Sequence, residues 1–365
     1  MTLKRAYYHC KTCQSGFFPR DRSLGLEQTS LSPSVTRMIA TTAAMVSFKE
    51  SSELLCELAA VRVDAKQVER TAEALGREIE AHDRTVLALS TPSTPSAPTM
   101  YLGLDGTGVP MRRSEVAGRA GKQSDGSSKT REVKLVTIWT AEGRDEEGNP
   151  VRDPGSVSYS AAIESAASPE SDDQLSEFAQ RVEREAKRRG LDQAPRLAAL
   201  GDGAVWIWNI VDEQFPGAIQ IVDLYHAKQH MFDVAKAIYG ASSDLARQWA
   251  TQRNDEFDAG DIDKVLEALA VQKNTNEEAR KCFDYVTNNR DRMRYPDFRA
   301  QGLSVGSGVV EAGCKVVVGA RLKRAGMHWS VAGANGIISL RCCKLSGRFE
   351  DFWEARSAAS RDTSA

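Results

Sequence analysis

Hydrophobic and polar residues follow two different patterns along the chain, and the change comes near residue 99. Residues 31–80 carry apolar side chains at the three- and four-residue spacing of amphipathic helices, in two segments parted by a break at 61–63. Asp64 stands where it can cap the second segment, with Gln67 in the capping-box position. We predict a helix, a turn and a capped helix, which fits either a helix-turn-helix or a small helical bundle.

Beyond residue 99, short apolar runs predict strands. The five runs are 101–104, 134–139, 157–160, 196–200 and 218–222. A charged amphipathic segment at 172–190 predicts a helix between the third and fourth strands. This order predicts an α/β fold, with a mixed five-stranded sheet flanked by helices.

The remaining segments complete the predicted organisation. Four amphipathic stretches predict an all-helical insertion over 231–300, after which the chain becomes helical again. A Ser/Thr/Pro-rich segment predicts a linker, because it cannot build a core. The predicted units are a cysteine knuckle (1–25), a helical domain (26–89), the linker (90–98), a core in two parts (99–230 and 301–356) around the insertion, and a disordered tail (357–365).

Composition limits the classes of protein. The chain has 365 residues, of which 41% are hydrophobic and 27% charged, as in globular proteins. No apolar run approaches the ~18 residues that cross a membrane, and no signal peptide is visible, so we expect a cytoplasmic protein. Seven irregularly spaced cysteines argue against a disulfide framework.

The N-terminal segment contains one C-x-x-C pair, Cys10 and Cys13. A structural zinc site needs four ligands, which usually come from two such pairs. His9 could add one ligand, and Cys342 and Cys343 are adjacent, which is the wrong spacing. We therefore predict at most a partial zinc site.

Two stretches of the chain are strongly basic although the net charge is only −2. Residues 305–348 hold seven Lys/Arg residues and one acid, Glu311, and residues 111–134 hold seven basic residues against three acids. This distribution indicates a surface that contacts phosphates. The alternative is a solvated face whose counter-charges lie elsewhere in the fold.

Three carboxylates have positions that suit chemistry. Asp105 and Asp202 each follow an apolar run and have glycine neighbours, while Glu311 stands at a predicted helix N-terminus. Three oxygen ligands from separate elements suit Mg²⁺, and two ions about 4 Å apart can drive an in-line phosphoryl displacement. Taken singly, each aspartate is better explained by a turn, and Glu311 could be a helix N-terminal carboxylate favoured by the dipole; the joint order of the three acids favours a site.

Four motifs carry a family resemblance: "YLGLDGTGVPMRR", "LGDGAVWIWNI", "VDLYHAKQH" and "GSGVVEAGCKVVVGARLKRAGMHWS". Over about residues 5 to 354 the chain resembles the ISKra-type bacterial insertion-sequence transposases, which belong to the DDE superfamily and are related to Mutator elements. The resemblance implies an RNase H-like core and a metal-binding catalytic triad of Asp105, Asp202 and Glu311. It also implies that Asp223 and His226 lie beside the active site, whereas His230 is expected to be an ordinary surface or core histidine.

The resemblance implies a Mg²⁺-dependent DNA transposase that cuts and joins strands at the ends of its element, with Mn²⁺ as a substitute ion. Its partners are expected to be double-stranded DNA (terminal inverted repeats and target) and further copies of itself, and its location the bacterial nucleoid. Relatives generally carry another N-terminal cysteine knuckle, so the zinc site is expected to be incomplete, as in a truncated copy. The predicted DNA-binding residues are Lys66, Gln67, Arg70, Lys315, Arg321, Lys323 and Arg324.

Two alternatives remain at this point. The chain could be an inactive or domesticated transposase relative that only binds DNA, or an unrelated nuclease of RNase H-like fold. Retention of all three acids favours a catalyst over a binder, and the long motifs favour a transposase over an unrelated nuclease.

Overall fold

The computed structural model describes residues 4–23, 26, 31–86, 97–121, 123–167 and 174–362. Most of the predicted linker 90–98 lies outside these residues, as do 363–365 of the predicted tail. Among the described residues, no helix is both long and apolar enough to cross a membrane.

Five strands form the central mixed sheet, in the order β7-β4-β3-β8-β9. β4 is antiparallel to both β3 and β7, whereas β8 is parallel to β3 and to β9. All five predicted strands are therefore present. The strands of the described residues are β1 (Tyr8–His9), β2 (Gly16–Phe17), β3 (Thr99–Pro110), β4 (Thr130–Thr140), β5 (Gly143–Arg144), β6 (Pro150–Val151), β7 (Ser158–Ala162), β8 (Arg196–Gly201) and β9 (Ile219–Val222).

Helices precede the sheet, cover both of its faces and follow it. The first eight are α1 (Pro19–Ser23), α2 (Pro33–Met45), α3 (Phe48–Ala59), α4 (Ala65–Val86), α5 (Arg113–Val116), α6 (Glu177–Arg189), α7 (Val205–Gln214) and α8 (Leu224–Tyr239). The next eight are α9 (Asp244–Ala259), α10 (Ile262–Gln272), α11 (Glu277–Asn289), α12 (Tyr295–Ala300), α13 (Gly308–Gly313), α14 (Ala320–Leu322), α15 (Val331–Leu345) and α16 (Phe349–Asp362).

The structure bears out the predicted helix α6 and the all-helical insertion. Residues 231–300 are all described, and they lie in helices or their connections, with no strand. The C-terminus differs from the prediction, because α16 continues to Asp362 and so makes 357–362 helical rather than disordered.

β3 is longer than the apolar run that predicted it. It continues to Pro110, paired with β4 throughout, while its pairing with β8 ends at Gly103 opposite Leu200. Gly106, Thr107 and Gly108 carry no large apolar side chain, so the hydrophobic pattern could not reveal this extension. Asp105 therefore lies within β3, at the point where the strand continues beyond its parallel neighbour.

The N-terminal helices share a core with the C-terminal part of the chain. Asp64 caps α4 as predicted, since its Oδ1 accepts the backbone N–H of Lys66 and Gln67 at 2.9 Å. α4 packs along α15 so closely that a Cβ on Gly76 would overlap the carbonyl of Gly336. The segment predicted as a separate helical domain is thus built into the molecule through a hydrophobic core common to α2, α4 and α15.

A buried ion network fixes α4 to the sheet layer. The Arg181 guanidinium on α6 donates to both carboxylate oxygens of Glu80 on α4, at 2.8 and 2.9 Å. It also donates to both oxygens of Glu164, at 2.7 and 2.8 Å. Burial by itself would raise the pKa of Glu80, but Arg181 and Arg84 outweigh it and lower that pKa to about 2.

This network makes stability sensitive to acid. The pKa of Glu80 is lower in the folded protein than its ordinary value of 4.5, so its contribution is present above pH 4.5 and is lost as the pH falls towards 2. We expect urea denaturation to show that Glu80→Gln costs up to about 3 kcal/mol at pH 7 and far less near pH 2. Glu78→Gln, which removes an exposed pair with Arg356, is the control and should show little pH dependence. A cost for Glu80→Gln that does not change with pH would contradict this assignment.

Candidate active site

Two aspartates meet where β3 and β8 part. Asp105 lies on β3 opposite Leu135 of β4, and Asp202 directly follows β8, one strand away on the other side. Asp105 Oδ1 accepts the N–H of Gly106 at 2.6 Å, and Asp202 Oδ1 accepts the N–H of Ala204 at 2.9 Å. Ligand sites of α/β sheets commonly lie at such carboxyl ends, where the order of strands changes direction.

The electrostatics of this pair are unfavourable without a counter-charge. Burial raises the pKa of the Asp105 carboxyl, and the negative charge of Asp202 raises it further. The Cys314 thiol, the Gly106 N–H and the nearby His226 act in the opposite direction without cancelling the rise. Two half-buried carboxylates whose charges interact in this way are suited to binding a cation.

Helix α13 brings the third predicted acid to this edge. It continues through a π-helical segment, Cys314–Gly319, into α14. A Cβ on Gly103 would overlap the Val310 side chain, so glycine in β3 allows α13 to lie directly on the sheet. Gly313 makes a second close approach, because its Cβ would stand 2.9 Å from Leu135 Cδ2.

The carboxylate of Glu311 does not join the other two. Its side chain is 64% exposed and pairs with Lys315, Nζ to Oε2, at 3.0 Å. Within the described ranges, no three His, Cys, Asp or Glu side chains are grouped closely enough to hold a metal ion. The structure thus brings Asp105 and Asp202 together and places Glu311 on the adjoining helix, turned towards Lys315.

Cys314 is a site residue that the sequence analysis missed. It lies one helical turn after Glu311, is buried, and interacts with Asp105, since each of these two residues shifts the pKa of the other. Burial raises the pKa of this thiol, and the charge of Asp105 raises it further. The spacing of Glu311 and Cys314 could have indicated this, since residues i and i+3 of a helix lie on the same face.

Asp223 organises the loops around the pair. It follows β9 at the same edge of the sheet and caps α8, with Oδ1 accepting the N–H of Tyr225 at 2.7 Å and of His226 at 3.4 Å. Its Oδ2 accepts the hydroxyl of Ser307, just before α13. One buried carboxylate therefore ties together α8 and the start of the helix that carries Glu311.

The helical insertion also reaches the site, through Tyr285 of α11. Its hydroxyl donates to the backbone carbonyl of Asp202 at 3.0 Å. Gly203 adopts a φ of 99°, and a Cβ there would lie 2.5 Å from the Tyr285 ring. His230 lies 4.6 Å from the same ring and 4.7 Å from His226, centroid to centroid. His230, predicted to be an ordinary histidine, therefore lies in this cluster, and burial lowers its pKa, as does His226.

Removal of the Tyr285 hydroxyl is expected to weaken the site without unfolding the protein. In Tyr285→Phe the Asp202 carbonyl loses its hydrogen-bond donor. Loss of such a supporting contact typically lowers metal affinity by about 10–100-fold. We expect a loss of that size in Mn²⁺ affinity by calorimetry, and only about 1 kcal/mol in unfolding free energy. Tyr239→Phe, at the far end of α8 against Trp249, is the matched control. Unchanged Mn²⁺ affinity in Tyr285→Phe would show that the contact does not support the site.

The basic residues after Glu311 divide into surface and internal groups. Lys315 and Lys323 are exposed, and Lys323 Nζ donates to Thr107 Oγ1 at 2.5 Å, two residues from Asp105. Arg324 is half-buried and pairs with Glu50 of α3. Arg321 is fully buried, so its prediction as a DNA-binding residue is wrong.

Arg321 has a structural role instead. Its Nε donates to the Ala43 carbonyl at 3.0 Å, and its guanidinium lies 4.6 Å from the Phe48 ring and 5.3 Å from the Trp329 ring. Burial lowers its pKa to about 10, with the charges of Arg341 and Arg324 acting in the same direction. Part of the basic excess in 305–348 is therefore internal, since Arg341 also donates to main-chain carbonyls inside the fold.

The predicted DNA-facing residues of α4 lie at its N-terminal end. Lys66 and Arg70 are exposed and Gln67 is half-buried. Lys66 pairs with Glu69 at 2.7 Å. Their contact with DNA stays a prediction.

Cys10 and Cys13 lie in the turn between β1 and β2. Hydrogen bonds from Ser15 and from Cys10 lower the pKa of the Cys13 thiol to about 7, which favours the thiolate that binds metals. Both cysteines are exposed. Among the residues described, no third Cys, His or acidic ligand joins them in a metal-binding group.

Comparison with known proteins shows a family and a weak structural likeness. The uncharacterised protein family UPF0236 matches residues 1–355. No curated protein matches the sequence. The Drosophila P element transposase strand transfer complex is similar at a TM-score of 0.30 and 10% identity, over 93% of this chain and 84% of that chain. A likeness of that strength establishes neither a fold nor an activity.

Proposed function

The chain belongs to the uncharacterised protein family UPF0236, and we propose that it is a DDE-type DNA transposase of the ISKra type, related to Mutator elements. The observation that carries this proposal is the Asp105–Asp202 pair, two half-buried carboxylates at one edge of the sheet, near enough for the charge of Asp202 to raise the pKa of Asp105. Glu311 stands on the adjoining helix in the order that the family resemblance implies. The reaction would be cleavage at the ends of an insertion sequence, followed by attack of the freed 3′-hydroxyl on target DNA.

The arrangement of the sheet supports an RNase H-like core. β3 is central, with the antiparallel strands β4 and β7 on one side and the parallel strands β8 and β9 on the other. Along the chain, the helical segment α9–α12 lies between the last strand β9 and α13, the position in which the resemblance implies a helical insertion. The three helices α2, α3 and α4 would supply the helix-turn-helix-like unit that docks on the terminal repeats.

The donor set fits Mg²⁺, or Mn²⁺ in its place. Asp105 and Asp202 offer hard oxygen ligands, and their mutual repulsion would be relieved by a cation. Glu311 would complete the set if its carboxylate left its ion pair with Lys315 and bound the metal ion instead. When bound, two such ions polarise the scissile phosphodiester and activate the attacking oxygen.

The chain's own residues would hold the site and the DNA. Asp223 and Tyr285 position the ends of β9 and β8, and His226 lies beside Asp105. Lys315 and Lys323, both exposed, would bind phosphates near the carboxylates, a contact that is independent of sequence and sensitive to salt. Joining two DNA ends would require at least two copies of the chain.

Metal-dependent stabilisation tests this proposal against its alternative, a DNA-binding protein without activity. At about 100-fold excess of Mn²⁺ over its Kd, a specific site raises unfolding free energy by about 2.7 kcal/mol. We expect thermal unfolding to show such a shift for the wild type and none for Asp105→Asn. Asp244→Asn, an exposed acid on α9, should behave as the wild type. A wild type with no metal-dependent shift would favour the inactive binder.

A further inference from the structure

We propose that the loop joining β3 to β4, together with the strand ends that carry it, is a docking surface for the phosphate backbone of duplex DNA. We call this segment, residues 111–121 and 123–131 of the described chain, the basic arm. The inference deepens the proposed function and rests on it. It gives a role to the basic stretch 111–134, which the active site described above does not use.

The arm is a fixed extension of the sheet. Beyond the end of β8, β3 and β4 stay paired from Asp105–Leu135 to Pro110–Thr130. The loop is then closed by backbone hydrogen bonds, from Gly121 to the Gly126 carbonyl at 2.8 Å and from Ser128 to the Arg119 carbonyl at 3.1 Å. The backbone that carries its cations is therefore held in place before any ligand binds, which lowers the entropic cost of binding.

Three cations of the arm form no ion pair within the described residues. Arg113, Arg119 and Lys129 are exposed, and no carboxylate lies within 4.0 Å of their charged groups in that part of the chain. Basic residues also outnumber the two acids of the arm, Glu115 and Asp125, which accept hydrogen bonds from the Val331 N–H and from Ser127. Such a surface fits a polyanion with regularly spaced charges.

The arm adjoins the predicted DNA-binding end of α4. Arg112 Nη2 lies 3.8 Å from Glu69, the same residue that pairs with Lys66. Arg113 follows Arg112 in the chain and Arg70 follows Glu69. Both are exposed, and each is therefore next to a residue of this contact between the arm and α4. The cations of the arm therefore adjoin those at the start of α4, with Glu69 between them.

Distance along β3 sets where on the DNA the arm would bind. Arg112 is seven residue steps beyond Asp105, a span of about 23 Å at about 3.3 Å per extended residue. Phosphates of one strand advance by about 3.4 Å along the helix axis, so on a duplex lying along β3 this span would correspond to about seven base pairs. The arm would thus grip the backbone within one turn of the phosphate held at the carboxylates.

Salt dependence of binding tests the basic arm directly. Each cation that contacts a phosphate contributes about 0.9 to the slope of log affinity against log salt. We expect Arg113→Ala, Arg119→Ala and Lys129→Ala combined to reduce that slope by about 2 to 3 for a random-sequence duplex in EDTA. Arg247→Ala, Lys264→Ala and Arg280→Ala combined remove three exposed cations of the helical insertion and should leave it unchanged.

The outcomes separate this inference from the proposed chemistry. A slope equal to that of the control set, in a variant with wild-type circular dichroism and unfolding temperature, overturns the inference. Polyglutamate that competes as well as duplex DNA per unit charge would assign the surface to acidic proteins and overturn it too. Because EDTA prevents cleavage, an arm-dependent slope in a protein that never cuts DNA would uphold the inference and reject the proposed activity.

Discussion

Replacement of Asp202 by asparagine is expected to reduce metal-dependent DNA cleavage by at least about 10³-fold and to leave duplex affinity almost unchanged. The amide keeps the size of the side chain and its contact with the Ala204 N–H, but it removes the negative charge that would hold the ion against Asp105. Cleavage of a labelled duplex and filter binding of the same duplex give the two readouts.

Asp212→Asn is the matched control for this substitution. Asp212 is an exposed acid on α7, hydrogen-bonded to Gln220 and away from the carboxylate pair. The Asp212→Asn variant should cleave and bind the duplex as the wild type does. Equal losses of cleavage and binding in Asp202→Asn would count against a catalytic role and in favour of a structural one.

Replacement of Arg181 by methionine is expected to lower the free energy of unfolding by about 3–5 kcal/mol. Arg181 is 5% exposed and bonds Glu80 and Glu164 with two contacts each. Methionine would leave two mostly buried carboxylates close together, with Glu164 deprived of its Arg181 contacts and Glu80 left with Arg84 and Arg184. The midpoint of urea denaturation measures the loss, with Arg247→Met on the exposed face of α9 as control.

A rescue variant separates charge from packing in this network. If the loss comes from the unpaired carboxylates, Glu80→Gln and Glu164→Gln added to Arg181→Met should recover much of the stability. Failure of the two amides to restore any stability, or a loss below about 1 kcal/mol in Arg181→Met alone, would show that the network is not a main contact between α4 and the sheet.

The sequence predicts those parts of the fold whose signal is local. Apolar runs mark all five sheet strands because each strand packs in the core, and helical spacing marks the insertion for the same reason. The extension of β3 past Asp105 is stabilised by pairing with β4 and carries glycines, so hydrophobicity does not report it. The docking of α4 on α15 depends on the close approach of Gly76 and Gly336, far apart in sequence.

The candidate site is only partly visible in the sequence for a similar reason. Asp105 and Asp202 can be placed together because each lies near the carboxyl end of a parallel strand pairing. Tyr285 reaches Asp202 from 83 positions away, and nothing in its local pattern indicates that contact. Arg321 shows the opposite error, since a cation in a basic stretch was expected on the surface, whereas main-chain carbonyl and aromatic contacts hold it inside.

Strand cleavage and joining by the full chain, on a labelled duplex that carries the ends of its own element, tests the central claim most directly. The wild type and Glu311→Gln would be compared with and without Mg²⁺, at protein concentrations at which both bind the duplex. The proposed mechanism predicts metal-dependent products from the wild type and none from Glu311→Gln. Products that do not need metal, equal products from both proteins, or no product despite bound DNA would contradict it.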